Sequence, residues 1–197
     1  NAAIDASKRD IQTPLHLALS YDEELGCVGV HSMIDMLAAA PFRPMFCIVG
    51  EPTLLSVATG HKGKTGCQAV CKGQEGHSAL APFALNAIYL ANDLILAIRD
   101  LQVDVIETCG HDDGYDVPYT TLHVGVIQGG VALNIVPTVC TFRFEIRNVV
   151  EADPEPILDR ISAASAEIVA QARAEFPAAG IEIEETNRPP PPATPQT

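Results

Sequence analysis

Asp22, Glu23 and Glu24 are consecutive carboxylates set between two apolar stretches. Three adjacent acids repel one another unless a cation or solvent compensates them. The triplet therefore reads either as a solvated acidic turn or as one side of a metal site. Neighbouring side chains diverge, so one glutamate could ligate a metal while the other acts as general base. Glu51, in Gly50-Glu51-Pro52-Thr53, ends the next apolar run and could serve the same cavity or form a turn before Pro52. A zinc site also wants histidine or cysteine. His16 and His31 fall inside a predicted strand and a predicted helix, where structural roles are expected.

Further along, His77 in Gly76-His77-Ser78 precedes a predicted helix. The positive end of a helix favours neutral imidazole, which suits donation to an oxyanion; a surface loop histidine is the alternative. Asn134 follows Gly129-Gly130 and could fix a polar substrate or form a turn. Arg147 projects from the polar face of a predicted strand, where it could grip a carboxylate bidentately or remain solvated. His61-Lys62-Gly63-Lys64 is a basic cluster of low specificity, and His111-Asp112-Asp113 reads as loop polarity. No G-x-S-x-G, phosphate loop or dinucleotide fingerprint occurs.

These residues need elements to hold them. Leu15, Leu17 and Leu19 predict a strand buried on both faces, and residues 45–49 a second one. Between them Val30, Met33, Ile34 and Leu37 recur at helical spacing until Pro41. This is an α/β pattern, in which ligands bind outside the carboxyl ends of the strands. From residue 66 the pattern changes. Cys67, Ala69 and Cys71 alternate with polar residues; Ile88, Ala91, Ile95 and Ile98 then form a helical stripe. Residues 103–118, with two glycines and five acids, read as a surface loop. Leu122, Val124 and Val126 predict a strand, and residues 138–147 a sharper one, with Cys140, Phe142, Phe144 and Ile146 on one face. Asp153 is the predicted cap of a helix starting at Pro154, striped by Ile157, Ile161, Ala164 and Ile168. Ile181 and Ile183 close with a short strand. The order β-α-β-β-α-β, with strands apolar on one face, predicts a ferredoxin-like α+β sandwich. We expect residues 1–60 to be part of an α/β domain too short to bury its own core. Residues 61–185 read as a complete small domain, and residues 186–197 as a proline-rich extended or disordered tail.

Composition bounds the rest. A hydrophobic fraction of 47% and a charged fraction of 19% suit a soluble globular chain. The charge of −13, from 12 basic and 25 acidic residues, argues against nucleic acid as partner. No apolar run is long enough for a membrane span. The six cysteines contain no C-x-x-C pair, and buried reduced thiols in a cytoplasmic protein are expected.

Taken in order, the pieces resemble the co-catalytic zinc family of aminoacylases and carboxypeptidases. The matching residues are Leu17-Ala18-Leu19-Ser20-Tyr21-Asp22-Glu23-Glu24-Leu25-Gly26-Cys27, Gly50-Glu51-Pro52-Thr53, His61-Lys62-Gly63, Gly76-His77-Ser78 and Asn86-Ala87-Ile88. They continue through Tyr115-Asp116-Val117-Pro118, the run from Gly129 to Pro137, and Phe144-Glu145-Ile146-Arg147. The resemblance implies a partial zinc-hydrolase catalytic domain followed by a lid or dimerisation domain. It implies amide hydrolysis of a small N-acyl amino acid by a homodimer using two divalent ions, zinc or alternatively cobalt. It makes Glu23 the general acid/base, Glu24 and Glu51 metal ligands, and His77 the group that polarises the amide oxygen, with Asn134 and Arg147 binding substrate.

The departures are specific. The family's first histidine ligand and bridging aspartate lie further upstream than Asn1 allows, and its last histidine ligand lies beyond residue 185. We therefore expect a fragment that carries two of five ligands and does not turn over substrate alone. A non-catalytic dimerisation or binding module is the reading from another class.

Overall fold

The longest stretch of strict alternation, residues 139–147, becomes the second strand of a four-stranded sheet. Cys140, Phe142, Phe144 and Ile146 are each no more than 2% exposed, while the residues between them face the other way. The structure is a computed structural model and describes residues 8–24, 27–54, 56–58 and 60–188. The chain divides into two compact units, Asn1–Leu54 and Leu55–Thr197.

In the first unit the predicted helix forms as α1, His31–Ala38, preceded by a 3-10 turn at Val28–Val30. Gly29 is required there, because a Cβ would lie 2.3 Å from the Tyr21 carbonyl oxygen. His16 stacks on Phe42 with ring centroids 4.6 Å apart. The two predicted strands do not form. Residues 15–19 and 45–49 are without strand pairing, and Leu17, Leu19, Met45 and Ile48 are all more than 70% exposed. An extended segment needs a neighbour for its backbone N–H and C=O groups, and no described segment of the unit supplies one.

The second unit realises the β-α-β-β-α-β order. Its elements are β1 (Thr65–Lys72), β2 (Gly76–His77), a 3-10 turn (Ser78–Phe83), α2 (Ala87–Thr108), β3 (Thr121–Gly129), β4 (Ile135–Val136), β5 (Val139–Arg147), α3 (Glu155–Arg173) and β6 (Gly180–Asn187). The main sheet has the order β3-β5-β1-β6 with every pair antiparallel, and β2 pairs with β4 apart from it. Both long helices cover one face. Leu90, Leu94, Ile98, Leu101 and Val105 of α2 and Ile157 and Ile161 of α3 are buried against Cys67, Ala69, Cys71, Phe142 and Phe144. Each large side chain so buried contributes about 1.5–3 kcal/mol. Asn86 caps α2, its Oδ1 accepting from Ile88 N at 2.8 Å.

Three local readings are corrected. The helix read as ending before residue 103 continues to Thr108, because Val105 still fills the core while Asp104 and Glu107 face outward. Asp104 accepts from Arg160 of α3 at 2.5 Å, so the acids that suggested a loop lie on a helix surface. Within that helix Leu90, Leu94 and Leu101 lead the stripe, and Ile88 and Ile95 flank it half-buried. In β3 a bulge between Val124 and Val126 reverses the alternation, so Val126 pairs with Arg143 on the outer face and Ile127 with Phe142 on the inner one. At α3 the helix starts at Glu155 with Pro154 in the cap position, one residue later than read; Asp153 lies before the cap, its Oδ1 accepting from Glu155 N at 3.0 Å. The predicted proline-rich tail lies outside the described residues from 189 onward.

Candidate functional site

The candidate residues fall into two sets, one in each unit. In the first, Asp22 adopts the left-handed conformation, φ 56°, which a short acidic side chain tolerates better than most. Glu23 accepts from Cys27 N through its carbonyl at 3.0 Å, and the side chains of Glu23 and Glu24 are exposed. Leu25 and Gly26, part of the matching motif, lie outside the described residues. Glu51 sits in a tight turn: its N–H donates to Val49 O at 3.0 Å, and its carbonyl accepts from Thr53 N at 3.0 Å. Among the described residues no three His, Cys, Asp or Glu side chains come together in a way that could hold a metal ion. Two carboxylates fall short of the donor set a divalent site needs. The residues present do not by themselves fit the two-ion centre that the sequence resemblance implies.

In the second unit the fold brings two of the candidates together. His77 stands opposite Ile135 in the β2–β4 ladder, and Ser78 N donates to Asn134 O at 3.0 Å. The exposed imidazole caps the following 3-10 turn, its Nδ1 accepting from Ala79 N at 3.2 Å. With Nδ1 an acceptor, the proton of a neutral ring resides on Nε2, which is then a donor. An amide oxygen placed there would receive a hydrogen bond. Gly76 permits this approach, since a Cβ would meet that of Ala84 at 2.7 Å.

Arg147 is not part of that cluster. It ends β5, whereas His77 and Asn134 lie beside β4, just before β5 begins, so the length of the strand, about 27 Å, intervenes. Its Nε donates to Glu145 Oε1 at 2.9 Å on the outer face of the sheet.

The basic cluster at residues 61–64 has a structural role that its sequence did not reveal. Lys62 Nζ donates to Tyr119 O at 2.5 Å, and burial pushes its pKa down. Gly63 N donates to Asn148 O at 2.8 Å, and a Cβ on Gly63 would lie 2.4 Å from the Asn148 side-chain oxygen. Buried Asn148 donates to the carbonyls of Val149 and Ala152. These bonds clamp the chain entering β1 to the loop leaving β5. A lone Asn after a strand carries no periodicity, so nothing in the sequence marked it.

The thiols are also sorted by the fold. Cys67, Cys71 and Cys140 are buried under the helices, and desolvation drives the Cys67 thiol up to about 11 and that of Cys71 to about 12. Cys27 and Cys47 are exposed, contrary to the expectation of burial. They lie in the first unit, where the predicted strands do not pair.

The second unit is thus a ferredoxin-like sandwich with a small ladder appended to present His77. Residues 59–173, more than half of the chain, match the family described as the peptidase dimerisation domain of the M20 group. The chain belongs to this family. It is 33% identical over 169 residues to an acetylornithine deacetylase of Myxococcus xanthus, covering 86% of this chain and 43% of that protein. Similarity to the acetylornithine deacetylase of Vibrio parahaemolyticus is 32% over 144 residues, covering 73% of this chain and 36% of the relative. The chain therefore spans less than half the length of the relatives it matches. Among solved structures, a hydantoinase/carbamoylase family amidase from Burkholderia ambifaria superposes with a TM-score of 0.56 at 14% identity, covering 68% of this chain and 30% of that one. That likeness speaks for the fold alone. Among the described residues no helix is long and apolar enough to cross a membrane.

Proposed function

We propose that this chain is part of a metal-dependent amide hydrolase that deacetylates N2-acetylornithine to ornithine and acetate. The observation that supports it most is the run of identity to the Myxococcus xanthus acetylornithine deacetylase, which covers 86% of this chain. In this reading Glu23 carries the proton from the attacking water to the leaving amine, and Glu24 and Glu51 contribute two metal ligands. His77 donates from Nε2 to the amide oxygen as negative charge develops on it, an interaction stronger in the transition state than before it. Asn134 contacts substrate beside His77, and Arg147, a strand's length away in the same chain, contacts the substrate held by the other protomer of the dimer. Residues 61–185 form the lid and dimerisation domain of a homodimeric, cytoplasmic enzyme. Zinc is the metal proposed, with cobalt as its substitute. Relatives that act on succinyl-diaminopimelate, other acyl amino acids or peptides are the neighbouring alternatives for the substrate.

A second reading is favoured by the closed core of residues 65–187: the chain serves only as a dimerisation module. One assay separates the two. Full-length protein carrying this sequence, supplied with zinc, is expected to release ornithine from N2-acetylornithine, and its Glu23→Gln form to release almost none. No release of amine from any N-acyl amino acid by the unsubstituted protein would leave only the module. The 197-residue chain alone is expected to be inactive, and a rate close to that of the full-length protein would contradict the assignment of Glu24 and Glu51 as an incomplete ligand set.

A further inference from the structure

We infer that the outer face of the lid sheet carries a binding pocket for a small oxyanion, a carboxylate or a phosphate, built by Lys64, His123 and Arg143. Two irregularities meet at one level of the sheet. In β3 the bulge at Gly125 interrupts the ladder to β5, and across the sheet the β1–β6 register shifts between Gly66 and Cys67. Bulges of this kind re-aim side chains and recur beside functional sites. Gly66 and Gly125 both lack side chains where the outer face would otherwise be filled. Together they leave a shallow cavity of about 320 Å³, open to solvent.

The lining has the charge of an anion site. His123 stands opposite Glu145 and Val126 opposite Arg143, so His123 and Arg143 point to the same outer face. Lys64, half-buried, enters the same cavity. Neither Lys64 nor Arg143 has an ion-pair partner among the described residues. The one acid in the lining, Glu145, is already held by Arg147 at 2.9 Å. Glu184, opposite Gln68 on the edge strand, is a further acid on this face, outside the lining. Two unpaired cations beside a neutralised carboxylate leave a local positive charge in a chain whose net charge is −13. Arg143 can present two parallel N–H groups to an oxyanion, with Lys64 as a point charge.

The inference rests on the pocket alone and not on hydrolase activity, so binding is read directly. In the intact 197-residue chain, backbone amide NMR is followed while inorganic phosphate or, separately, N-acetylglycine is added at constant ionic strength. Saturable shifts centred on Gly66, Gly125 and Arg143 are expected in the millimolar range. Tighter binding of phosphate assigns a phosphate-bearing ligand, and tighter binding of N-acetylglycine assigns a carboxylate. Arg143→Gln and Lys64→Gln should each weaken binding about tenfold or more, one hydrogen-bonded charge being worth that much. Lys72→Gln, on the same face but paired with Glu182 and outside the cavity, should leave it unchanged. The inference is overturned if neither anion gives saturable shifts up to about 50 mM, where a millimolar site would fill. It is equally overturned if Arg143→Gln, with an otherwise unchanged spectrum, binds as tightly as the parent chain.

Discussion

The backbone N–H of Ser78 donates to the carbonyl oxygen of Asn134 at 3.0 Å, joining segments 56 positions apart. That bond extends the two-residue ladder between β2 and β4, and it brings His77 and Asn134 to one end of the sheet. A flexible loop histidine would lose entropy each time it met an amide oxygen. Here the ladder and the Ala79 bond have already restricted it.

On the proposed role of His77 as donor to the amide oxygen, His77→Gln in the full-length protein should lower kcat by about 10²–10³ while KM changes little, the signature of a donor acting only in the transition state. Its loss as a cap for the 3-10 turn should cost no more than about 1 kcal/mol. Steady-state kinetics with thermal melts would separate the two, and a melt that collapsed with kcat would argue for a purely structural histidine.

Gly63→Ala should destabilise the second unit by about 1–3 kcal/mol, because the new methyl would sit 2.4 Å from the Asn148 side-chain oxygen and break the clamp on β1. Urea denaturation reports it. A midpoint equal to the parent's would mean that the clamp yields freely.

Thr65 is fully buried, and its hydroxyl has no hydrogen-bond partner among the described residues. Thr65→Val removes that group at nearly constant shape and should stabilise the unit by about 1 kcal/mol. A clear loss of stability would show instead that the hydroxyl is satisfied, for instance by a buried water.

The core thiols predict an alkaline limit. Cys67 and Cys71 titrate near 11 and 12 in the fold against an ordinary 9.0. Between those values the native state holds protons that the unfolded chain has released, so stability falls as pH rises. The contribution is complete below about pH 9 and disappears as pH climbs toward 12. Urea midpoints should drop from pH 8 to pH 10.5, and more gently in a Cys71→Ala variant than in the parent. A pH-independent midpoint would contradict the burial of these sulfurs.

Phe142→Ala should cost about 3–5 kcal/mol and leave the second unit largely unfolded at 37 °C, since the ring is fully buried at the centre of the sheet. Circular dichroism would show the loss directly.

Much of this was legible in the chain because local alternation is dictated by burial on one side. Cys67-Ala69-Cys71 and Cys140-Phe142-Phe144-Ile146 announced β1 and β5 and the side that takes the helices, and the order of elements announced the sandwich. The readings that failed are those where a distant partner decides. Asp104 and Glu107 looked like loop residues because their helix is held by Val105 inside and Arg160 outside, neither visible in a local window. Val126 changed face because one bulge at Gly125 shifts the pleat by a residue. Leu15 to Leu19 and Met45 to Val49 have the composition of buried strands, yet a strand exists only through hydrogen bonds to a neighbour.

The candidate site divides in the same way. Sequence by itself singled out the side chains proposed for the chemistry, because Glu23, Glu24, Glu51 and His77 carry carboxylate or imidazole groups wherever they lie, and it determined the sandwich that carries His77. Only the tertiary structure decided that His77 and Asn134 adjoin while Arg147 stands at the far end of β5, bonded to Glu145. It alone turned Lys62 from a basic patch into a clamp and left Arg143 and Lys64 without an ion-pair partner among the described residues. Periodicity encodes which face of an element is buried; it does not encode which elements cross, and proximity between side chains is set by the crossing.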